Sequence, residues 1–244
     1  MKNKIITALC AVFLSNAAIA QSNTQTIKSK PISYTEYTDK SELFAEYPAL
    51  VKDIPARFTA HLTRTGAHFK PYSDATVVVT LTIDGKTAYQ YTNSQPESPG
   101  IYRFQMKAEL AGKGIITIDV KTADYTDHFI IKNVKVYADA ASALSAKGDE
   151  PVEEQGVKTY IKEKSWKVDF ATAVVGGKRK KIYVPKTALL KDNNETAVYV
   201  QVDPENFRKQ VVLTGKERDS QILITSGLQS GERIVILGAE NIDK

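Results

Sequence analysis

Cysteine, histidine and methionine are scarce in this chain, whose 244 residues hold one cysteine, three histidines and two methionines. With Cys10 inside the first apolar stretch, neither a disulfide framework nor a thiolate metal site is available downstream of it. Nucleophile-elbow, phosphate-loop, dinucleotide-fingerprint and zincin motifs are all missing from the sequence. So is any heptad-patterned stretch from which a long helical hairpin could form. The leading apolar run, Ile5 to Leu14, is about half the ~20 residues that a membrane span needs. Charge of one sign is also modest. The net +5 falls to about +3 once Lys2 and Lys4 are removed, which is too mild to argue for a nucleic-acid partner. The remaining composition, 42% hydrophobic and 25% charged, is that of a folded chain of one or two domains.

What is present is an order of segments. Met1 to Ala20 combines two early lysines, an apolar run and the small-residue ending Ala18-Ile19-Ala20. This pattern predicts a secretory signal cleaved before Gln21, and hence a periplasmic mature chain that is peripheral to the membrane at most. Residues 21–32 are polar and read as a flexible N-terminus. Residues 33–139 read as one β domain, in which Pro48 and Pro55 break the patchily apolar stretch Ser41 to Pro55 and exclude a long helix there, and the two-residue period of strands recurs from Arg57 onward. Phe58, Ala60 and Leu62 share one face, with Thr59, His61 and Thr63 on the other. Val77, Val79, Leu81 and Ile83 similarly oppose Thr76, Thr80 and Thr82. Asp84-Gly85 supplies a tight hairpin turn, and Gly112-Lys113-Gly114 is expected to join the strands on either side of it. About six short strands predict an antiparallel β-sandwich. Residues 140–156 turn Ala- and Ser-rich and then acidic, as a linker does, and a short helix over Ala138 to Lys147 would suit the alanines. Residues 157–244 form a second, smaller β domain with the strand candidates KVDFATAVV, KKIYVPK, TAVYVQVD, FRKQVVLTG, SQILIT and ERIVILG. The predicted class is all-β, with two tandem domains joined by an Ala/Glu-rich linker.

Few residues carry chemistry. His61 and His68 lie on either side of Gly66, and a turn there would let them share a divalent cation as substrate, with Asp74 or Glu46 as third ligand. Alternatively, His61 simply lines a polar, threonine-rich sheet face. Trp166 and Phe170 read as core. GGKRKK (Gly176 to Lys181) lacks the Ser or Thr and the strand-to-helix context of a phosphate loop, so it reads as a basic hairpin turn. No acid and base groups converge by spacing, so no catalytic residue, no cofactor-binding residue and no enzymatic activity are expected.

The run TDKSELFAEYPALVKDIPARFTAHLTRTGAHFKPYSDATVVVTL resembles the extra N-terminal domain of periplasmic adaptor subunits. These are haemolysin-D-like membrane fusion proteins of RND-type efflux pumps, particularly of the heavy-metal branch. IKEKSWKVDFATAVV resembles the stretch that follows that domain. Val184-Pro185-Lys186-Thr187-Ala188-Leu189, Val198 to Val202, Ser226-Gly227-Leu228 and Val235 to Gly238 are similar to the membrane-proximal domain. The resemblance implies an inner-membrane RND permease or other adaptor subunits as partners. It departs from the family where GGKRKK alone joins Val175 to Ile182, in place of a β-barrel, a lipoyl-like domain and an α-hairpin. A chain shortened in this way would not bridge to the outer-membrane channel, and DFATAVV should pair directly with the C-terminal strands. With Met106 as the one methionine beyond Met1, a three-thioether Cu(I) site cannot be built, and a borderline cation such as zinc is the better expectation. The competing expectation from another class is an exported adhesion or glycan-binding module with no pump partner.

Overall fold

The computed structural model describes residues 31–66, 68–146, 156–176, 181–192 and 195–244. The expected signal segment, residues 21–30 of the expected flexible N-terminus, residues 177–180 of the basic turn and the acidic part of the linker lie outside these residues. The first block contains β1 (Ile32–Tyr37), β2 (Ser41–Tyr47), β3 (Leu50–Val51), β4 (Ala56–Arg64), β5 (Lys70–Pro71), β6 (Thr76–Ile83), β7 (Thr87–Asn93), β8 (Ile101–Met106), β9 (Gly112–Lys121) and β10 (Thr126–Tyr137). One sheet runs β1-β2-β4-β5, with β8 also on β4, and the facing sheet runs β3-β10-β9-β6-β7. Every pairing is antiparallel except the short β3–β10 contact. Between the sheets, Phe58 and Leu62 of β4 meet Val77, Val79 and Leu81 of β6, with Ile116, Ile118 and Phe129, in one continuous core. Each such side chain contributes about 1.5–3 kcal/mol on burial, which holds the sheets together without a disulfide.

After β10 comes α1 (Ala140–Ser145), capped by Asp139, whose Oδ1 accepts the Ser142 N–H at 2.7 Å. The second block then contains β11 (Val157–Thr159), α2 (Lys162–Ser165), β12 (Ala171–Val174), β13 (Ile182–Pro185), β14 (Leu190–Asp192), β15 (Glu195–Asp203), β16 (Asn206–Val211), β17 (Leu213–Arg218), β18 (Gln221–Ser226) and β19 (Arg233–Leu237). Its sheets run β11-β16-β15-β19-β12, with β14 on β15, and β13-β18-β17. One core gathers Val184, Val198, Val200, Ile224 and Ile234, with Leu228 packed against it. A second gathers Tyr160, Phe170, Tyr199, Phe207 and Val235. The chain is therefore all-β with tandem domains.

Two local expectations change, and one segment read only as excluding a long helix is a strand. SELFAEY is a strand, β2, and its burial is nearly continuous because both of its faces are covered, which erases the alternation that marks a half-exposed strand. Gly112, Lys113 and Gly114 lie inside β9 rather than between strands. FRKQVVLTG is divided at Val212 into β16 and β17, which belong to different sheets. By contrast, DFATAVV pairs as expected, with Thr172 opposite Val235 and Ala173 opposite Ile234. Val175 N–H then donates to Glu232 O at 2.8 Å, and Gly231 N–H donates back to Val175 O at 2.9 Å. Gly176 follows at φ +87°, a backbone state glycine adopts without strain.

Candidate metal centre

β2 and β4 turn one face inward to the sandwich core and the other toward the second domain. On that outer face Glu42 stands opposite Thr63, Phe44 opposite His61, and Glu46 opposite Thr59. A polar face of this kind would ordinarily be solvated. Here the segment around α2 lies across it, leaving Thr63 1% and His61 8% exposed. Trp166 donates its indole N–H to Thr63 Oγ1 at 2.9 Å, and the Phe69 N–H donates to Phe170 O at 3.0 Å. The Trp166 ring sits directly on Gly100, where a Cβ would come within 2.5–2.7 Å of the indole. At φ +84°, Gly100 is thus required twice over, by backbone conformation and by this close approach. Further along the contact, the Tyr37 hydroxyl donates to Gln201 Oε1 at 3.1 Å, and the Arg233 guanidinium lies 3.5 Å from the Tyr37 ring centroid. Lys162 of α2 pairs with Glu42 of β2, and both side chains are almost fully buried.

Within this contact the structure brings together His61, Glu163 and Glu205, each with a ligand atom within 4.8 Å of the others. His61 comes from β4, Glu163 from α2, and Glu205 from the turn between β15 and β16. That turn is set by Asp203, whose Oδ1 accepts the N–H groups of Glu205 at 3.1 Å and Asn206 at 3.0 Å. Glu205 is then anchored to the chain entering α2. Its carbonyl accepts the Tyr160 N–H at 2.6 Å, and its Oε1 accepts the Lys162 N–H at 2.7 Å. The apolar Ile161 has no side chain to cap α2, so Glu205 supplies the cap from a distant part of the sequence. Burial pushes the Glu205 carboxyl above its ordinary pKa, opposed by the Lys162 amide and the nearby His61.

The His61 ring is fixed between Phe44, at a centroid distance of 5.1 Å, and Trp166, at 6.4 Å. Its Nε2 lies 3.5 Å from Glu46 Oε2, and its Nδ1 lies 3.8 Å from Glu163 Oε1. Among the described residues, Nδ1 has no hydrogen-bond partner.

His68 is not part of this group. It lies beyond the Gly66 turn, half-exposed, with Nδ1 3.0 Å from Asp169 Oδ1. Of the two carboxylates suggested by sequence, Glu46 reaches His61, whereas Asp74 is taken by Arg64 at 2.6 Å. That hydrogen bond holds the Asp74 carboxyl below its ordinary pKa. Glu163 and Glu205 were invisible to spacing arguments because only the docking of the two domains carries them to His61. Met106 is 1% exposed within the first core, so its thioether packs against apolar neighbours. Phe170 is core as expected, its ring tilted against Tyr160 and edge-on to Phe207, whereas Trp166 belongs to the contact between domains.

Residues 182–239 match the family model of the CzcB C-terminal circularly permuted SH3-like domain. The matched stretch begins at β13 and ends just beyond β19, so it spans both sheets of the second block. The crystal structure of ZneB from Cupriavidus metallidurans aligns with 75% of this chain at 13% sequence identity and a TM-score of 0.23. The aligned region is 40% of that protein, so the present chain spans less than half of its length. No curated protein sequence matches the chain. Among the described residues, no helix is long and apolar enough to cross a membrane.

Proposed function

We propose that the protein is a periplasmic, non-catalytic adaptor-like component of an RND-type efflux system. In this reading it binds the inner-membrane permease or other adaptor subunits, handles the pump's substrate, and does not bridge to the outer-membrane channel. The observation that carries the proposal is the match of residues 182–239 to the CzcB-type SH3-like domain. The pairing of β12 with β19 supports it, since a strand preceding the short turn completes the sheet without the long insertion that the family places there. The first domain, docked on the second through buried polar contacts, adds a surface that the SH3-like domain alone lacks.

The test is co-purification of the tagged, exported chain from solubilised inner membranes after crosslinking. Recovery of an RND permease, or of another adaptor subunit, is the expected result. Absence of both, with recovery of a surface glycan or an adhesion partner instead, would replace the adaptor reading by that of a free-standing binding module.

A further inference from the structure

We propose that His61, Glu163 and Glu205 form a binding site for a borderline divalent cation of the zinc class, placed between the two domains. The proposal stands on the geometry of this contact and holds whether or not a pump is the partner.

Three independent features converge on it. First, the donor set is one imidazole and two carboxylates, the kind that Zn²⁺ takes, with atoms within 4.8 Å of one another. Metal–ligand bonds of about 2.0–2.1 Å require ligand atoms about 3.3 Å apart in a tetrahedron. The half-exposed Glu163 side chain can rotate by that difference. Second, the His61 side chain is 10% exposed, yet Nδ1, the nitrogen that faces Glu163, has no hydrogen-bond partner among the described residues. A buried ring nitrogen without a partner is costly unless something else satisfies it. Third, the opposite nitrogen, Nε2, faces Glu46. A carboxylate at that side favours the tautomer with the proton on Nε2, leaving the Nδ1 lone pair directed at Glu163. This is the carboxylate–histidine arrangement that orients metal-ligating imidazoles.

Charge points the same way. Glu46, Glu163 and Glu205 surround one imidazole, and the nearby Lys162 ammonium is already paired with Glu42. A divalent cation balances the carboxylates where a protonated imidazole alone would not. Three protein ligands leave the fourth position to water. Glu163 opens that side to solvent, with 37% of its side chain exposed, so the cation can exchange. His61 belongs to the first domain, and Glu163 and Glu205 to the second. The cation therefore bridges the two domains.

The experiment uses the untagged mature chain, stripped of metal, with Zn(II) titrated against a chromophoric chelator and thermal unfolding recorded in parallel. One Zn(II) per chain is expected, with a melting temperature raised by several degrees at about 100-fold excess over Kd. Glu163→Gln and Glu205→Gln should each weaken binding about tenfold or more. In Glu205→Gln the side-chain amide carbonyl can still accept the Lys162 N–H, so this variant tests the ligand and not the cap. His68→Ala should bind as the parent does. Absence of saturable binding overturns the proposal, as does binding unchanged in both glutamine variants or lost in His68→Ala. Tight one-to-one uptake of Cu(I) in preference to Zn(II) would overturn the assignment of the cation class. Neither outcome bears on recovery of the permease, so the two proposals fail separately.

Discussion

Lys162→Met should destabilise the protein by about 3–5 kcal/mol, because it strands the Glu42 carboxylate where solvent does not reach. The Glu42 side chain is 1% exposed and that of Lys162 is 4% exposed. Apart from that ammonium, no donor among the described residues reaches either Glu42 carboxylate oxygen, so Lys162 is the charge that balances it. An exposed pair of the same composition would contribute ~0–1 kcal/mol, so the size of the effect is itself a measure of burial. The double variant Glu42→Leu/Lys162→Met removes both charges and should recover most of the loss, since a well-packed apolar pair is often as stable as the ion pair it replaces. Urea denaturation is the appropriate measurement, and the chain's single tryptophan makes it local. Trp166 lies in the contact between the domains, so its emission reports their separation. A loss below about 1 kcal/mol in Lys162→Met would mean that water reaches this pair in solution.

Trp166→Ala should cost a comparable amount, about 3–5 kcal/mol, through a different mechanism. The ring is 8% exposed, rests on Gly100 and donates to Thr63, so its removal leaves a cavity and an unpaired buried hydroxyl. Circular dichroism replaces fluorescence as the probe in this variant. The expected outcome is earlier loss of the domain contact, with the sandwich core retained, because none of the residues of that core depends on Trp166 for packing. Trp166→Phe keeps an aromatic ring but loses the N–H donor together with the five-membered ring, and should cost less, about 1–3 kcal/mol. Equal losses in the two variants would show that the N–H and the indole shape, rather than burial of an aromatic ring as such, are what the contact needs.

The strands in which apolar and polar residues alternate were legible because that alternation follows from the pleat. Val77, Val79 and Leu81 lie inward as the period requires, and Phe58, Ala60 and Leu62 do the same on the facing sheet. Legibility failed where a covered outer face carries an apolar residue among its polar ones, as that of β2 carries Phe44. Ser41 to Tyr47 carries Glu42, Phe44 and Glu46 on what would be a solvent face, yet that face is the floor of the contact with α2. Val212 shows the other limit, since a chain can pass from one sheet to the next without a glycine or proline to mark the change. At the candidate metal centre, His61 stood out as a lone imidazole on a threonine face. Its partners did not, because the turn holding Glu205 and the first turn of α2 carry no signal that they fold back onto the first domain. His68, nearer in sequence, found Asp169 instead.

The division of ligands between domains has a consequence for transfer. When one group of the proposed site comes from the sandwich and two from the second domain, cation affinity and domain closure are reciprocal quantities, linked by a single coupling free energy. Whatever the cation adds to closure, a third body that pries the domains apart must take from the cation's affinity. A protein surface that prefers the separated form would thus act as a discharging agent. It would need no ligand of its own, only a grip on the face that Trp166 and the Glu42–Lys162 pair now cover.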